Sequence, residues 1–372
     1  MKVAFGVSVL ARSVQQGGVD GIGTYTRELM AAMPQAVQLQ PYVFGPASLW
    51  TGADPAVAAG RFGTQALISN WPGGSFREMR RALGAGIDLV HATDHLVPRM
   101  RGIPVVATFF DAIPLAHPEW IRYRFKTLKN EMWRRTAFWA QRIITISDYS
   151  RQEIAEHFRV PVERITAIPL GVGPSWFDPM DAAQTAAVRA RHALPERYFV
   201  SVGTLQPRKN IDRLLTAHSS LPLPLQREFP LLVVGKPGWG CEDVVARFAD
   251  GSLPNVRWLR HLPDADLRVV VKSATALVFP SLHEGFGLPV LEGFAAGVPV
   301  AASHATSIPE VAGDAALLFD PLRTDDMAQA MARIVEQPAL AHQLAARGRE
   351  RVRSFTWQAC AEKTAQVYES VL

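Results

Sequence analysis

At 372 residues the chain exceeds the size at which one core usually stops growing, so two globular domains of roughly 150–200 residues are expected; 48% hydrophobic and 20% charged residues exclude a disordered polar chain and a membrane-embedded one. A formal net charge of +5 admits an anionic partner without choosing among nucleic acid, a membrane surface, a phosphorylated substrate and a plain solvated basic face. The 2 cysteines, Cys241 and Cys360, lie far apart and outside any C-x-x-C pattern, which excludes a disulfide framework and makes a reducing cytoplasm the expected compartment.

The first apolar run, from Val3 to Ala11, is too short to span a bilayer and too near Met1 for a signal peptide, so no export or spanning signal is expected. Residues 1–10 read as a buried strand, followed by a glycine-containing loop and a helix from near Tyr25. Short apolar runs at 87–90, 105–107 and 142–146 then alternate with longer amphipathic stretches, the rhythm of a parallel doubly wound sheet. Residues 1–172 are therefore expected to form a first Rossmann-like domain. Glycine, proline and alanine replace the strand pattern over 173–195, which reads as a linker. The strand–loop–helix opening recurs at 198–204, with Arg208 and Lys209 in the loop and a helix from about Ile211. Leu231–Val234, Val256–Leu259, Ala276–Phe279 and 299–301 read as further strands of a second α/β domain over 196–354, and 355–372 as a closing helix. No short repeat or low-complexity segment interrupts this order. Sheets of this kind bind ligands beyond the carboxyl ends of their strands, so functional residues should follow strands and precede helices.

Residues 279–300 carry the most information: strand, loop, helix, strand. Pro289 suits a first helical turn, which places Gly287 and Leu288 where free backbone N–H groups can receive a diphosphate. Glu284 in the loop and Glu292 near the helix start bring two carboxylates to one side of the crevice. Carboxylates accept hydrogen bonds from hydroxyls, so the pair suits a sugar ring and a ribose diol; acids that merely complement the helix dipole are the plain alternative.

The spacing Glu284-x7-Glu292, the intervening Gly-Phe-Gly-Leu-Pro and the following Gly-Val-Pro-Val resemble the signature of glycosyltransferase family 4. The resemblance extends to Val-Gly-Thr-Leu-Gln-Pro-Arg-Lys-Asn at 202–210 and Gly-Ile-Gly-Thr-Tyr at 21–25, and so covers most of the chain. It implies a retaining enzyme of GT-B fold, two Rossmann-like domains facing a central crevice with the C-terminal helix crossing back to the N-terminal domain. It implies a nucleotide-diphosphate sugar as co-substrate, with GDP-mannose or GDP-rhamnose types favoured, a glycan or lipid-linked acceptor in surface polysaccharide synthesis, and no metal cofactor. Arg208 and Lys209 would hold the diphosphate and stabilise charge on the leaving group. Gly203, Thr204, Gly21 and Gly23 would allow close backbone approach. Glu284 and the backbone of Phe286 and Gly287 would bind the transferred sugar, Glu292 the ribose, and 260–262 (Arg260, His261, Leu262) the base. A GT-B sugar-nucleotide epimerase and a catalytically silent sugar-nucleotide-binding protein are the rival readings.

Three further features bear on ligands. Asp264 and Asp266 have the spacing of a metal-binding pair but precede a helix at Leu267, where capping accounts for them. His91 and His95 are spaced like ligands on a helix, yet the stretch reads as a loop at the crevice, which assigns His91 with Phe110 and Asp111 to a sugar or acceptor pocket rather than a metal. At Phe110 the sequence departs from relatives, which commonly carry a histidine that approaches the C6 hydroxyl of the donor sugar; phenyl suits a methyl, as in a 6-deoxyhexose, and drift with the donor unchanged is the alternative. Finally, 119–142 holds Arg122, Arg124, Lys126, Lys129, Arg134, Arg135 and Arg142 against Glu119 and Glu131, interleaved with Trp120, Tyr123, Phe125, Trp133, Phe138 and Trp139. That mix suits peripheral contact with the anionic inner face of a membrane; core burial of the aromatics is the alternative, and no recognition motif supports nucleic acid.

Overall fold

The computed structural model describes residues 1–15, 18–71, 73–121 and 125–372. The chain divides into two compact units, Met1–Gly171 with Thr356–Leu372, and Val172–Phe355.

In the first unit the strands are β1 (Lys2–Gly6), β2 (Gln38–Val43), β3 (Val57–Ala58), β4 (Leu89–Ala92), β5 (Val105–Thr108), β6 (Arg142–Thr145) and β7 (Ile165–Ala167), all parallel in the order β3-β2-β1-β4-β5-β6-β7. β4 and β5 are buried at every position, which is why they read as unbroken apolar runs. β2 escapes that pattern because its first three residues are exposed or half-buried and Pro41 follows them; β3 and β7 are too short to show one. The first strand ends at Gly6, and Ser8–Gln15 is a helix that buries Leu10 and Ala11, so residues 8–10 are not strand. Gly21 and Gly23 are likewise not in a loop. They lie in the first turn of the Gly21–Ala32 helix, where the Asp20 carboxylate accepts the Gly23 N–H at 2.7 Å.

The second unit contains β8 (Phe199–Val202), β9 (Leu231–Val234), β10 (Val256–Leu259), β11 (Ala276–Phe279), β12 (Val300–Ser303) and β13 (Leu317–Phe319), parallel in the order β10-β9-β8-β11-β12-β13. The strand order reverses between β8 and β11, the place where such sheets open a ligand crevice. Residues 173–195 are built into this unit rather than forming a free linker: Asp181 caps the Ala182–Arg191 helix by accepting from Gln184 N at 2.6 Å. The helix is tied down by Asp266, whose carboxylate accepts from Arg191 Nη1 at 2.8 Å and His192 Nε2 at 2.7 Å. The His192 hydrogen bond, aided by Arg191, holds the Asp266 carboxyl below its usual range. Asp266 is thus a clasp and not a helix cap. Asp264 does not cap either, since Pro263 occupies the cap position of the Asp264–Lys272 helix.

The closing helix, Trp357–Glu369, belongs to the first unit and packs on the Gly21–Ala32 helix. Thr356 caps it through Ala359 N at 3.1 Å. Gly171 is required at its start, because a Cβ there would lie 2.1 Å from the Trp357 backbone nitrogen. Trp357 is 6% exposed and tilts against Tyr25 at 6.3 Å between ring centroids. Its indole N–H has no partner among the described residues. Trp357→Ala is expected to lower the unfolding free energy by about 3–5 kcal/mol, and Trp357→Phe by less than half of that, because phenyl fills most of the space without burying an unpaired donor. Urea titrations followed by far-UV circular dichroism measure both.

The 119–142 stretch divides. Trp133 and Trp139 are partly buried against the first unit's core, and Trp120 stacks on His117 at 4.1 Å, so those aromatics are structural. On and beside the Lys126–Ala137 helix, Phe125, Leu128 and Phe138 face solvent. Arg122, Tyr123 and Arg124 lie outside the described residues. No helix of the described residues is long and apolar enough to cross a membrane.

Candidate active site

At the end of β8 the chain passes through Gly203 and enters a short 3-10 turn, Pro207–Lys209. Asn210 follows in the left-handed region (φ 58°). Its side-chain amide donates to Pro280 O at 3.0 Å and Pro321 O at 2.6 Å, and Leu282 N donates to Arg208 O at 2.7 Å. The turn after β8 is thereby clamped to the loop after β11, so both loops present their side chains at the reversal of strand order.

Glu284 stands in the second loop and meets both cations of the first. Its Oε2 accepts from Arg208 Nη1 at 2.9 Å and its Oε1 from Lys209 Nζ at 2.5 Å. Arg208 Nη1 also donates to His283 O at 3.1 Å, and Lys209 Nζ lies 5.2 Å from the centre of the Phe279 ring. Burial disfavours the Glu284 charge, but Arg208 and Lys209 outweigh it and hold the carboxyl down to about 2. Burial also pulls Lys209 below its usual range, with Glu284 opposing. The loop is fixed from below: Glu284 N donates to Thr306 Oγ1 at 3.1 Å, and the buried Ser307 hydroxyl donates to Glu284 O at 2.8 Å and Phe286 O at 3.0 Å.

Gly287 (φ 113°) precedes the Leu288–Ala295 helix, and that backbone conformation favours glycine; a Cβ there would also sit 2.6 Å from Ile308 Cδ1, which would have to move. The cap position therefore has no side chain to occupy the helix's first N–H groups. Pro289 lies in the first turn, as its position in the sequence suggests. Glu292 is one turn further in and half-buried. Its carboxyl is pushed up to about 7 by burial and by Asp264, with Lys209 opposing. Arg260 and His261 are exposed beyond β10, Arg260 lying over the Trp258 ring at 4.8 Å, while Leu262 is buried. The second unit thus gathers Gly203, Thr204, Arg208, Lys209, Glu284, Phe286, Gly287, Leu288 and Glu292 at one end of its sheet. Thr306, Ser307 and Asn210 support that site and were not singled out in the sequence, because their work is done through backbone groups.

Residues 19–176 match the family model described as Glycosyltransferase Family 4, and 185–351 the model described as Glycosyl transferases group 1. O-antigen chain mannosyltransferase B of Escherichia coli is 34% identical over 71% of this chain and 70% of its own length. The chain belongs to glycosyltransferase family 4. Other relatives are MMP alpha-(1->4)-mannosyltransferase of Mycolicibacterium hassiacum, 30% identical over 77% of this chain and 66% of its own length, and the serotype-specific mannosyltransferase WbdA of Escherichia coli, 31% identical over 59% of this chain and 27% of its own length. Among solved structures, sucrose-phosphate synthase from Thermosynechococcus elongatus superposes with a TM-score of 0.76 at 21% identity, covering 100% of this chain and 99% of its own. Anabaena HepE in complex with UDP gives 0.77 at 16% identity, covering 100% of both. The fold of this glycosyltransferase is GT-B.

The remaining sequence-assigned residues lie in the glycosyltransferase's first unit. His91 is not in a loop or a pocket: it is a fully buried residue of β4, with Nδ1 2.6 Å from Tyr368 Oη and Nε2 2.8 Å from Thr108 Oγ1. Burial lowers its pKa to about 3, so it is a neutral link between the sheet and the closing helix. Phe110 and Asp111 follow β5 and line a pocket of about 190 Å³ with Asp94, His95 and Trp133. Phe110 meets Tyr25 edge-on at 5.1 Å, and Asp111 accepts from Ile113 N at 3.1 Å.

Proposed function

We propose that the enzyme transfers mannose, or a 6-deoxyhexose, from a GDP-linked donor to a glycan or lipid-linked acceptor with retention of configuration, in the synthesis of a surface polysaccharide at the cytoplasmic face of a membrane. The observation that carries the reading is the Arg208–Lys209–Glu284 cluster at the strand-order reversal of the second unit. The printed names of the relatives, three of them mannosyltransferases and one of these acting on the O-antigen chain, support the sugar and the pathway class.

In this reading the donor diphosphate takes over Arg208 and Lys209, whose charges stabilise the leaving phosphate as the glycosidic bond breaks. Glu284 turns to the sugar hydroxyls, and the uncapped start of the Leu288–Ala295 helix faces the phosphates. The acceptor hydroxyl attacks on the face the phosphate leaves, and a phosphate oxygen takes its proton. No metal takes part. Presence of both cations and both acids favours transfer over a silent binding protein, and the Glu-x7-Glu segment beside Arg208-Lys209 favours it over an epimerase. Exposed apolar side chains beside basic ones on the first unit suit a membrane contact, and Phe125, Leu128 and Phe138 with the cations of 119–142 are one such group. A screen of nucleotide sugars with anomer analysis of the product by NMR tests the whole reading; turnover only with a non-guanosine donor, or an inverted product, overturns the corresponding part.

Glu292 supplies a pH prediction. A ribose diol is bound best by the carboxylate, and the proton competes with it below about 7. The ionised fraction rises about tenfold between one unit below and one unit above that value. Affinity for the intact nucleotide sugar, whose diphosphate loses no proton in this window, is expected to rise by up to that factor from pH 6 to 8. In Glu292→Gln the profile should be flat, which isothermal titration at several pH values measures.

A further inference from the structure

The Phe62–Ser69 helix buries Phe62, Gln65, Ala66 and Ser69 along one face. An ordinary surface helix carries polar residues opposite. Here Leu67 is 66% exposed, Ile68 62% and, just after the helix, Trp71 75%. This ridge is held rigidly: Arg99 Nη1 donates to Ser69 O at 2.5 Å and Trp71 O at 3.2 Å. Arg101 reaches Gly73, where a Cβ would lie 2.8 Å from its Nη2. The surrounding stretch is cationic. Arg61, Arg77, Arg80, Arg81 and Arg101 are exposed; of the exposed acids among them, Glu78 turns its carboxylate onto Gly60 and Asp88 accepts from the Lys2 backbone N–H at 2.7 Å, while Asp94 is buried.

We propose that this ridge docks the first unit on an anionic lipid bilayer, Leu67, Ile68 and Trp71 entering the headgroup–acyl boundary while the arginines meet lipid phosphates. The proposal rests on the membrane part of the proposed function and moves its principal contact away from 119–142. Exposed apolar side chains beside basic ones are the make-up of an interfacial segment. Charge selects the occupant. A symmetric pairing with a second copy would set this arginine-rich surface against itself, whereas an anionic surface is complementary to it. In the 119–142 stretch, by contrast, Trp133 and Trp139 are taken up by the core, and Glu131 lies between Leu128 and Phe138, paired with Arg135 at 3.1 Å.

The test is flotation of the full chain with vesicles of phosphatidylcholine alone and of phosphatidylcholine with phosphatidylglycerol, alongside light scattering for oligomeric state. Binding is expected to need the anionic lipid, to fall about tenfold or more in Leu67→Ser/Ile68→Ser/Trp71→Ser, and to change less than about twofold in Phe125→Ser/Leu128→Ser. Turnover on a water-soluble acceptor should be the same in all three proteins. Quenching by brominated acyl chains, present in the unmodified chain and lost in Trp71→Phe, reads the insertion without the triple change. Failure of the unmodified protein to float removes membrane contact altogether. Flotation that survives the triple change, or that is lost in Phe125→Ser/Leu128→Ser alone, overturns this surface and leaves membrane contact standing. A dimer that the triple change breaks with no loss of flotation assigns the ridge to a second copy.

Discussion

Lys209→Ala is expected to lower kcat by about 10²–10³-fold with little change in thermal stability, whereas Glu284→Ala loses turnover and stability together. The difference follows from the partners each leaves behind. Without Lys209, Glu284 keeps the Arg208 guanidinium at 2.9 Å, and the buried carboxylate stays paired. Without Glu284, two cations whose side chains are 23% and 12% exposed face each other with no anion between them. Breaking a buried pair in that sense costs about 3–5 kcal/mol, and a ligand bearing a diphosphate should restore part of it. The pH dependence has the matching sign. Glu284 titrates at about 2 in the folded chain against an ordinary 4.5, so its contribution is complete above 4.5 and is lost as pH falls toward 2. Steady-state kinetics at saturating donor and thermal melts with and without GDP measure these effects. Wild-type turnover in a folded Lys209→Ala enzyme would remove that residue from the catalytic machinery.

What could be read in the sequence depended on whether a residue acts through its side chain. Arg208, Lys209 and Glu284 stood out because charged groups directly after buried strands have few structural uses, and the structure brings the three within hydrogen-bond distance. Thr306 and Ser307 gave no signal, and Asn210 only as the last residue of the 202–210 match, since small polar residues that hold backbone groups look like any loop. His91 misled for a related reason. A histidine followed by Ala-Thr-Asp-His resembles a polar loop, but two hydroxyls from distant parts of the chain, Thr108 and Tyr368, satisfy both its nitrogens and let it sit in a strand. The central strands of both sheets were legible as apolar runs; β2, β3, β7 and β13 were not, because half-exposed or very short strands need no such run. Gly21 and Gly23 looked like a loop until Asp20 supplied the cap that starts a helix there. Asp264 and Asp266 were read as caps, yet the one raises the pKa of Glu292 and the other clasps Arg191 and His192, long-range partners that no local pattern announces.

The unmodified enzyme is expected to use a 6-deoxy donor about 5- to 150-fold more efficiently than its C6-hydroxylated counterpart, the factor set by the residue at position 110. The family resemblance implies a histidine there that approaches the C6 hydroxyl; Phe110 has no hydrogen-bonding group to offer it. The nearest aromatic hydroxyl does not supply a substitute. The Tyr25 ring that packs edge-on to Phe110 has its hydroxyl bonded to Thr108 at 2.9 Å, and Thr108 is shared with His91. A buried hydroxyl left unpaired costs about 1–3 kcal/mol, which converts to the stated range, while a methyl group against phenyl incurs no such loss. Discrimination of this kind, through a missing hydrogen bond rather than a steric clash, appears in kcat/KM. Competition between GDP-mannose and GDP-rhamnose, or the same pair of sugars on whichever nucleotide the screen selects, measures it. Phe110→His should narrow the gap by giving the hydroxyl a partner. Equal or greater efficiency with the hydroxylated donor in the unmodified enzyme would show that the C6 substituent finds its environment elsewhere, and mannose would then stand as the sugar that the relatives' names suggest.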